Sequence, residues 1–194
     1  MIPRVAWTTV QFYSKAKALE QLSGFFDACA QVEIDDYRDY EKALAALKEA
    51  YEWLTKARSS GKDGKAEQLR LRVQHVENFV NARKMVKTDP ETTVKMCFEL
   101  LDQPEVETAL RVGDVYALMV EWFHSQGQYE QAYDLITKMV ARQIVLAPYL
   151  DAEMVQAICG SMGVPVPQDP TPAATQRAPD ADEVEDQIDE DFDD

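Results

Sequence analysis

The chain of 194 residues is 46% hydrophobic, which is enough for one domain with a sizeable core, and its composition favours helices over strands. Its formal net charge of −15 argues against a nucleic-acid partner, and it lacks the long apolar run of a membrane span. The charge is uneven, because residues 180–194 contain ten acidic and no basic residues, which leaves only −5 for residues 1–179.

Apolar residues at spacings of three and four predict about eight antiparallel helices in an all-α solenoid. The first is expected at Ile2–Tyr13, where the sequence shows no convincing N-terminal cap. The chain therefore reads as a fragment of a longer solenoid. Trp7 lies in this first helix, and we expect it to contact helices that precede the sequence in its parent.

The next three helices carry clear apolar faces. The second is predicted at Ala16–Glu33 and the third at Tyr40–Ser59, where apolar residues alternate at spacings of four and three. Ser59–Gly64 is predicted to be a flexible turn, because it contains two serines and two glycines. The fourth helix follows at Lys65–Lys87.

The remaining helices are bounded by strong local signals. Asp89 followed by Pro90 is a typical helix start, and the short fifth helix is expected to end before Pro104. Its residues expected inside are Val94, Cys97, Phe98 and Leu101. The eighth is predicted at Asp151–Met162, with glycines at its end.

The sixth and seventh helices form the most informative pair, within Gly113–Met139. Gly127 can adopt positive φ and end the first of them. Tyr129 and Ala132 then begin the second helix with the Gly-x-Tyr-x-x-Ala pattern of a tetratricopeptide-type repeat. Tyr40 and Ala43 repeat this pattern without the glycine. These patterns predict a tetratricopeptide-like α-solenoid, a fold that usually presents a surface to other proteins.

The chain is divided into three parts by composition. Residues 1–163 are predicted to be the helical repeat segment, residues 164–179 a Pro-rich linker, and residues 180–194 a disordered acidic tail.

Charge is also segregated within the helices. Residues 56–87 carry a net charge of +6 and residues 20–52 a net charge of −6. Solvated helix faces would explain this pattern. The functional alternative is a docking site for an acidic partner or for the acidic tail itself. The candidate protein-binding residues are Arg70, Arg72, Arg83, Lys84 and Lys87, together with Trp7.

The sequence offers little support for a catalytic site or a metal site. His75, on the polar flank of the fourth helix, and His124 are the only histidines, and the three cysteines are far apart. Neither a zinc ligand set nor a phosphate-binding loop is present, so we predict no enzyme activity, no metal and no cofactor. The cysteines are expected to be reduced and packed.

Three blocks of the sequence are distinctive: Tyr13–Tyr37, which contains Asp-Ala-Cys-Ala-Gln-Val-Glu-Ile-Asp and is the most specific, Tyr40–Tyr51, and Arg111–Tyr116. These blocks resemble the C-terminal region of the intraflagellar transport protein 140 family. The Pro-rich stretch and acidic tail also fit the end of that family.

The resemblance implies a non-catalytic scaffold segment of an intraflagellar transport complex A subunit, supporting assembly, retrograde ciliary transport and import of membrane cargo. Its partners would be other complex A subunits, with the upstream solenoid and two propellers of the parent missing here. The implied location is the cytoplasm and the cilium or flagellum, on transport particles at the basal body and axoneme. The alternative is a free-standing tetratricopeptide adaptor that binds a short peptide of a partner.

Overall fold

The computed structural model describes residues 18–57 and 62–167, and every regular element in these ranges is an α-helix. The predicted helix Ile2–Tyr13, including Trp7, and the acidic tail lie outside them. The described helices are α1 (Leu19–Asp35), α2 (Tyr40–Lys56), α3 (Lys62–Met85), α4 (Pro90–Leu101), α5 (Val106–Ala109), α6 (Val112–Ser125), α7 (Tyr129–Ala141) and α8 (Ala152–Met162).

Aspartate side chains cap the start of three helices. Asp39 accepts a hydrogen bond from the backbone N–H of Lys42 at the start of α2, and Asp89 does the same at α4, where Pro90 occupies the first turn. Asp151 caps α8. Each cap satisfies a backbone N–H that the helix itself leaves unpaired. The start signal predicted at Asp89 is therefore confirmed, and Asp151, the predicted first residue of the eighth helix, is its cap.

Two glycines end helices by adopting a left-handed backbone conformation. Gly127, between α6 and α7, has φ of 70°, and Gly163, after α8, has φ of 66°. Residues with a Cβ rarely adopt these angles. The predicted turn at Gly127 is confirmed, whereas Gly160, also predicted to stop the eighth helix, lies within α8.

Helices pack mainly against their neighbours in the chain, which is the arrangement of a solenoid. α1 packs on α2, α2 on α3, α3 on α4, α6 on α7 and α7 on α8, while α5 contacts α3 and α4 contacts α6. The predicted correspondence between α2 and α7 is confirmed, because the matched inward positions are all 0% exposed: Ala43, Leu47, Ala50, Ala132, Ile136 and Met139. The alanines allow close helix crossings.

The structure corrects three expectations. Lys62–Gly64, predicted to be part of a turn, begins α3, where Asp63 favours the helix start through the helix dipole. His75 was placed on a polar flank but is only 6% exposed, because α3 packs against three helices, α2, α4 and α5. Phe98 was expected inside but is 39% exposed, since Cys97 and Leu101 fill the inward positions of α4.

The four-residue helix α5 was not predicted. It follows Glu105, which has φ of 60°, and it is anchored by buried Val106, Ala109 and Leu110. Such a short helix has too few residues to show an apolar period, so sequence periodicity could not reveal it.

Candidate protein interface

The basic residues singled out from the sequence occupy two separate parts of α3. Arg70 donates two hydrogen bonds to Glu67, one turn earlier on the same helix, at 2.7 and 2.8 Å. Arg72 forms an ion pair with Asp27 of α1 and donates to the side chain of Gln31 at 2.9 Å. Arg72 therefore joins α1 to α3, and its charge is already compensated within the chain.

The oppositely charged segments face each other in the fold. Lys48 of α2 lies 2.7 Å from Glu77 of α3, and Lys84 of α3 lies 3.2 Å from Glu41 of α2. With the Arg72 pair, these contacts link the acidic helices to the basic one. Each exposed pair stabilises by only about 0–1 kcal/mol, but together they reduce the charge that α3 presents to solvent.

Arg83, Lys84 and Lys87 lie near the C-terminal end of α3, beside a surface groove. An α-helix rises about 1.5 Å per residue, so Arg83 is about 16 Å along the axis from Arg72. The groove consists of three depressions of about 450, 180 and 510 Å³. The first two share Arg38 and Arg83, and the last two share Leu118 and Glu121, so the three depressions lie side by side along the surface. We call it the α3 groove.

The floor of the α3 groove is apolar and its rim is charged. Phe79 and Val80 of α3 and Leu118 of α6 line the floor, and Trp122 of α6 lines the far end beside Pro90. The rim includes four basic residues and four acidic ones: Arg38, Arg83, Lys84, Lys87, Asp39, Glu41, Asp114 and Glu121. The groove is therefore close to neutral overall, which does not favour a purely acidic occupant.

Arg83 is positioned by an aromatic ring and by a carboxylate. Its guanidinium lies 5.8 Å from the centre of the Tyr40 ring, within the range of a cation–π contact. Burial raises the pKa of the Glu121 carboxyl, and the nearby positive charge of Arg83 opposes that rise. Arg83 is nevertheless exposed, so its guanidinium remains available to a partner.

Tyr37 stands at the open end of the groove and is 69% exposed. It lies in the loop between α1 and α2, next to Arg38, whose φ of 52° is uncommon for a residue with a side chain. Tyrosine, tryptophan and arginine are the residues that most often dominate the binding energy of protein interfaces. With Tyr37 at one end, Arg83 in the middle and Trp122 at the other, the α3 groove has the composition of such an interface.

A network of hydrogen bonds around Arg111 fixes the wall of this groove. The Tyr40 hydroxyl donates to Asp114 at 2.6 Å and accepts from the Arg111 backbone N–H at 3.3 Å. The Arg111 guanidinium donates to the Tyr149 hydroxyl at 3.2 and 3.3 Å and to the Asp35 carbonyl at 2.7 Å. The Arg111 network therefore connects the end of α1 and the start of α2 with the start of α6 and with the loop before α8.

The Tyr149 ring is contacted by two arginine side chains and by a glycine. Arg38 and Arg111 place their guanidinium groups 4.9 and 5.0 Å from its centre, and Arg38 also donates to the Pro148 carbonyl. Gly113 packs directly below, where a Cβ would lie within 2.6 Å of three ring atoms. A glycine is thus required at this position by close packing.

A family model that describes the C-terminal TPR domain of intraflagellar transport protein 140 matches residues 20–140, which is well over half of the chain. The chain belongs to this family. The suspected resemblance is confirmed, and so is the tetratricopeptide-like fold. TPR domains of this family suggest a protein-interaction role related to intraflagellar transport, and the fold is one that typically has no catalytic activity.

The match to the family's C-terminal TPR domain covers the α3 groove and most of the Arg111 network. The two blocks Tyr13–Tyr37 and Arg111–Tyr116, which carried the resemblance, are far apart in the sequence. The structure brings them together through the Asp35 carbonyl and Arg111. Tyr149, residues 164–179 and the acidic tail lie beyond the matched residues.

Other candidate chemistry is not supported within the described part of this family member. His, Cys, Asp and Glu side chains form no cluster there that could hold a metal ion. No described helix combines the length and the apolarity needed to cross a membrane. Cys29, Cys97 and Cys159 are free thiols, as predicted, and burial raises the pKa of Cys97 to about 12.

Sequence reasoning missed Tyr37 and Tyr149 as elements of the interface. Tyr149 follows α7 in an irregular stretch without an apolar period, so only the fold shows that it packs on Gly113. In the sequence, Tyr37 was noted only as the last residue of a block that resembles the family. Its position in a short acidic loop between two strongly periodic helices was the available signal of exposure.

Proposed function

We propose that this chain is a non-catalytic scaffold segment of an intraflagellar transport complex A subunit and binds another subunit of that complex through the α3 groove. The chain would thereby support complex assembly, retrograde ciliary transport and import of ciliary cargo. Its location would be the cytoplasm and the cilium or flagellum. The family supports the general role, and the apolar floor of the groove with exposed Tyr37 supports this surface.

The fixed shape of the α3 groove is the observation that most supports its proposed role as a binding site. Because the Arg111 network holds α2, α6 and the Tyr149 loop together, the groove is formed before a partner arrives. A preformed site loses little conformational entropy on binding. Its near-neutral rim fits a partner segment of mixed charge with apolar anchors, as is common between subunits of a stable complex.

Arg83 and Lys87 are therefore proposed as partner contacts, whereas Arg70 and Arg72 are proposed as structural. Lys84 lies beside Arg83 at the groove and is paired with Glu41. This division refines the expectation that all five basic residues form one docking site. Trp7, the sixth candidate, lies outside the described residues, and its contact with helices that precede this sequence in the parent stays a prediction.

Co-purification with the other complex A subunits tests the proposal. Arg83→Glu together with Lys87→Glu should lower the affinity at least tenfold, equivalent to about 1.4 kcal/mol. Lys95→Glu is the matched control, since Lys95 is exposed on α4 and pairs with Glu99 of the same helix. Unchanged binding by the double variant, with normal melting, would rule out the groove as the subunit interface.

A free-standing adaptor is the second candidate function, and the groove could also accept a short peptide. An adaptor would be a monomer alone, whereas a solenoid segment would expose apolar surface and self-associate. Light scattering of the isolated chain distinguishes the two functions, because only the scaffold predicts concentration-dependent oligomers.

A further inference from the structure

Most charged residues on the rim of the α3 groove are already paired within the protein. Arg38 lies 3.6 Å from Asp114, and Lys84 lies 3.2 Å from Glu41. The Asp39 carboxylate lies 2.8 Å from the ammonium group of a lysine in the first turn of α2. Because an opposite charge already stands beside each of these groups, they attract a charged partner only weakly.

The groups left open on the rim are two cations and one carboxylate. Arg83 and Lys87 are exposed, and neither forms an ion pair with another residue in the described ranges. Glu121 has no ion pair there either, and it lines the same depression as Arg83, so it offsets part of that charge. The rim is balanced in its formal charges, but its open groups are positive by one charge.

The two open cations lie at the middle and at the far end of the groove. Arg83 lines the first two depressions, and Lys87 lines the third, beside Trp122. Four residues correspond to about 6 Å along a helix. Side chains two residues apart on an extended segment, or three to four apart on a helix, span about the same distance. One face of a partner segment can therefore place a carboxylate against each cation.

The third depression adds an apolar contact next to Lys87. Val86, Leu118 and Trp122 line it, and its volume is about 510 Å³. The Trp122 indole packs edge-on against Phe123, with 4.9 Å between the ring centres, which holds it in place. A depression of this size has room for a large apolar side chain. An apolar residue close to an acidic one in the partner would therefore satisfy both neighbouring features.

We propose that the segment bound in the α3 groove is acidic, with one carboxylate against Arg83 and one against Lys87, and that an aliphatic or aromatic residue beside them packs on Trp122. This inference rests on the proposed function and adds to it the chemical class of the occupant. Charge complementarity at a rim contributes more to the choice and orientation of a partner than to affinity. The two open cations thus determine which segment binds and in which direction it lies.

Carbodiimide crosslinking of the intact complex tests this chemistry, because the reagent joins a lysine amine to a carboxylate only when the two groups are in contact. Lys87 should become joined to an aspartate or glutamate of another complex A subunit. The Lys84–Glu41 pair, at 3.2 Å, is the positive control, because its product shows that the reagent reached the groove. Lys95, exposed on α4, is the negative control and should give no product with another subunit.

An amine-reactive reagent with a spacer, applied in parallel, separates this inference from the proposed function. If the spacer reagent joins Lys84 or Lys87 to another subunit while carbodiimide gives only the Lys84–Glu41 product, the groove is an interface and the acidic occupant is refuted. If neither reagent joins these lysines to another subunit, the proposed function fails as well. Carbodiimide products that join Lys87 only to residues 180–194 of the same chain would make the acidic tail the occupant and would also overturn the proposal.

An exchange of charges gives a second readout. Lys87→Glu should weaken binding of the partner subunit by about threefold or more. Changing the crosslinked carboxylate of the partner to lysine should restore most of the affinity that Lys87→Glu loses. The same change in the partner should restore nothing to the Lys95→Glu control. No recovery with Lys87→Glu would contradict a direct contact between Lys87 and that carboxylate.

Discussion

Replacing Gly113 by alanine should destabilise the protein, although alanine is normally the better helix former. The new Cβ would lie within 2.6 Å of three atoms of the Tyr149 ring. The ring must then move, and its hydroxyl would leave the Arg111 guanidinium. Overpacking costs about 1–3 kcal/mol. Hydrogen bonds to a charged group contribute about 1.5–3 kcal/mol, and partial exposure of Arg111 reduces this value.

The helix propensity of alanine offsets up to about 1 kcal/mol of this cost. The net expectation is a loss of about 1–3 kcal/mol, which lowers Tm by about 2–4 °C for each kcal/mol in a domain of this size. Thermal melting by circular dichroism measures it. Gly160→Ala is the matched control. It meets no neighbouring atom, so it should keep or slightly raise Tm.

Measuring Gly113→Ala in a Tyr149→Ala background separates the clash between the new Cβ and the Tyr149 ring from other effects of the alanine. Without the ring, Gly113→Ala should cost nothing further and should even stabilise α6. If Gly113→Ala raises Tm in the native background, or costs the same in both backgrounds, the close packing of Tyr149 on Gly113 is refuted.

Three further variants test the fold around the groove. Tyr40→Phe should cost about 1–3 kcal/mol, because Asp114 and the Arg111 N–H lose a partner, whereas exposed Tyr37→Phe should be neutral. Burial and Asp114 raise the pKa of Tyr40, so the folded state keeps a proton that the unfolded state loses above about pH 10. The free energy of unfolding should therefore fall as pH rises through that range, and it should fall less steeply in Tyr40→Phe. Equal pH dependence in the two proteins would argue against a buried hydroxyl. Ala132→Arg should prevent cooperative melting, because Ala132 is 0% exposed and the new charge would be buried. Its control is Ala141→Arg, at an exposed position of the same helix, which should melt normally. An unchanged melting curve of Ala132→Arg would mean that the repeat register is wrong. Deleting residues 164–194 should change Tm only slightly, through loss of the partly buried Val164; a fall of many degrees would show that the tail docks on the helices.

The helices themselves were predictable because their signals are local. Apolar periods, aspartate caps and the Gly127 turn each depend on a few neighbouring residues, and these located α2, α4, α6, α7 and α8 closely. Helix α3 was less predictable at its start, since Lys62–Gly64 has the composition of a turn. His75 was misplaced because a helix that packs against three others does not show a single apolar stripe.

The division of the basic residues could not be predicted, because it depends on contacts between distant segments. Arg72 and Arg83 look equivalent in the sequence. Arg72 pairs with Asp27, which is 45 residues away, whereas Arg83 faces Tyr40 and the groove. The charge imbalance was interpreted as solvated helix faces or as a docking site for an acidic partner, whereas the ion pairs that α3 makes with other described helices are with α1 and α2.

The most direct test of the central claim is lysine crosslinking of the intact complex, read by mass spectrometry. Lys84 and Lys87 lie at the α3 groove, whereas Lys95 and Lys138 lie on α4 and α7. If the groove binds a neighbouring subunit, crosslinks to another complex A subunit should come from Lys84 and Lys87, and Arg83→Glu with Lys87→Glu should abolish those from Lys84. Crosslinks to other subunits that come only from Lys95 and Lys138, and persist in that variant, would contradict the assignment.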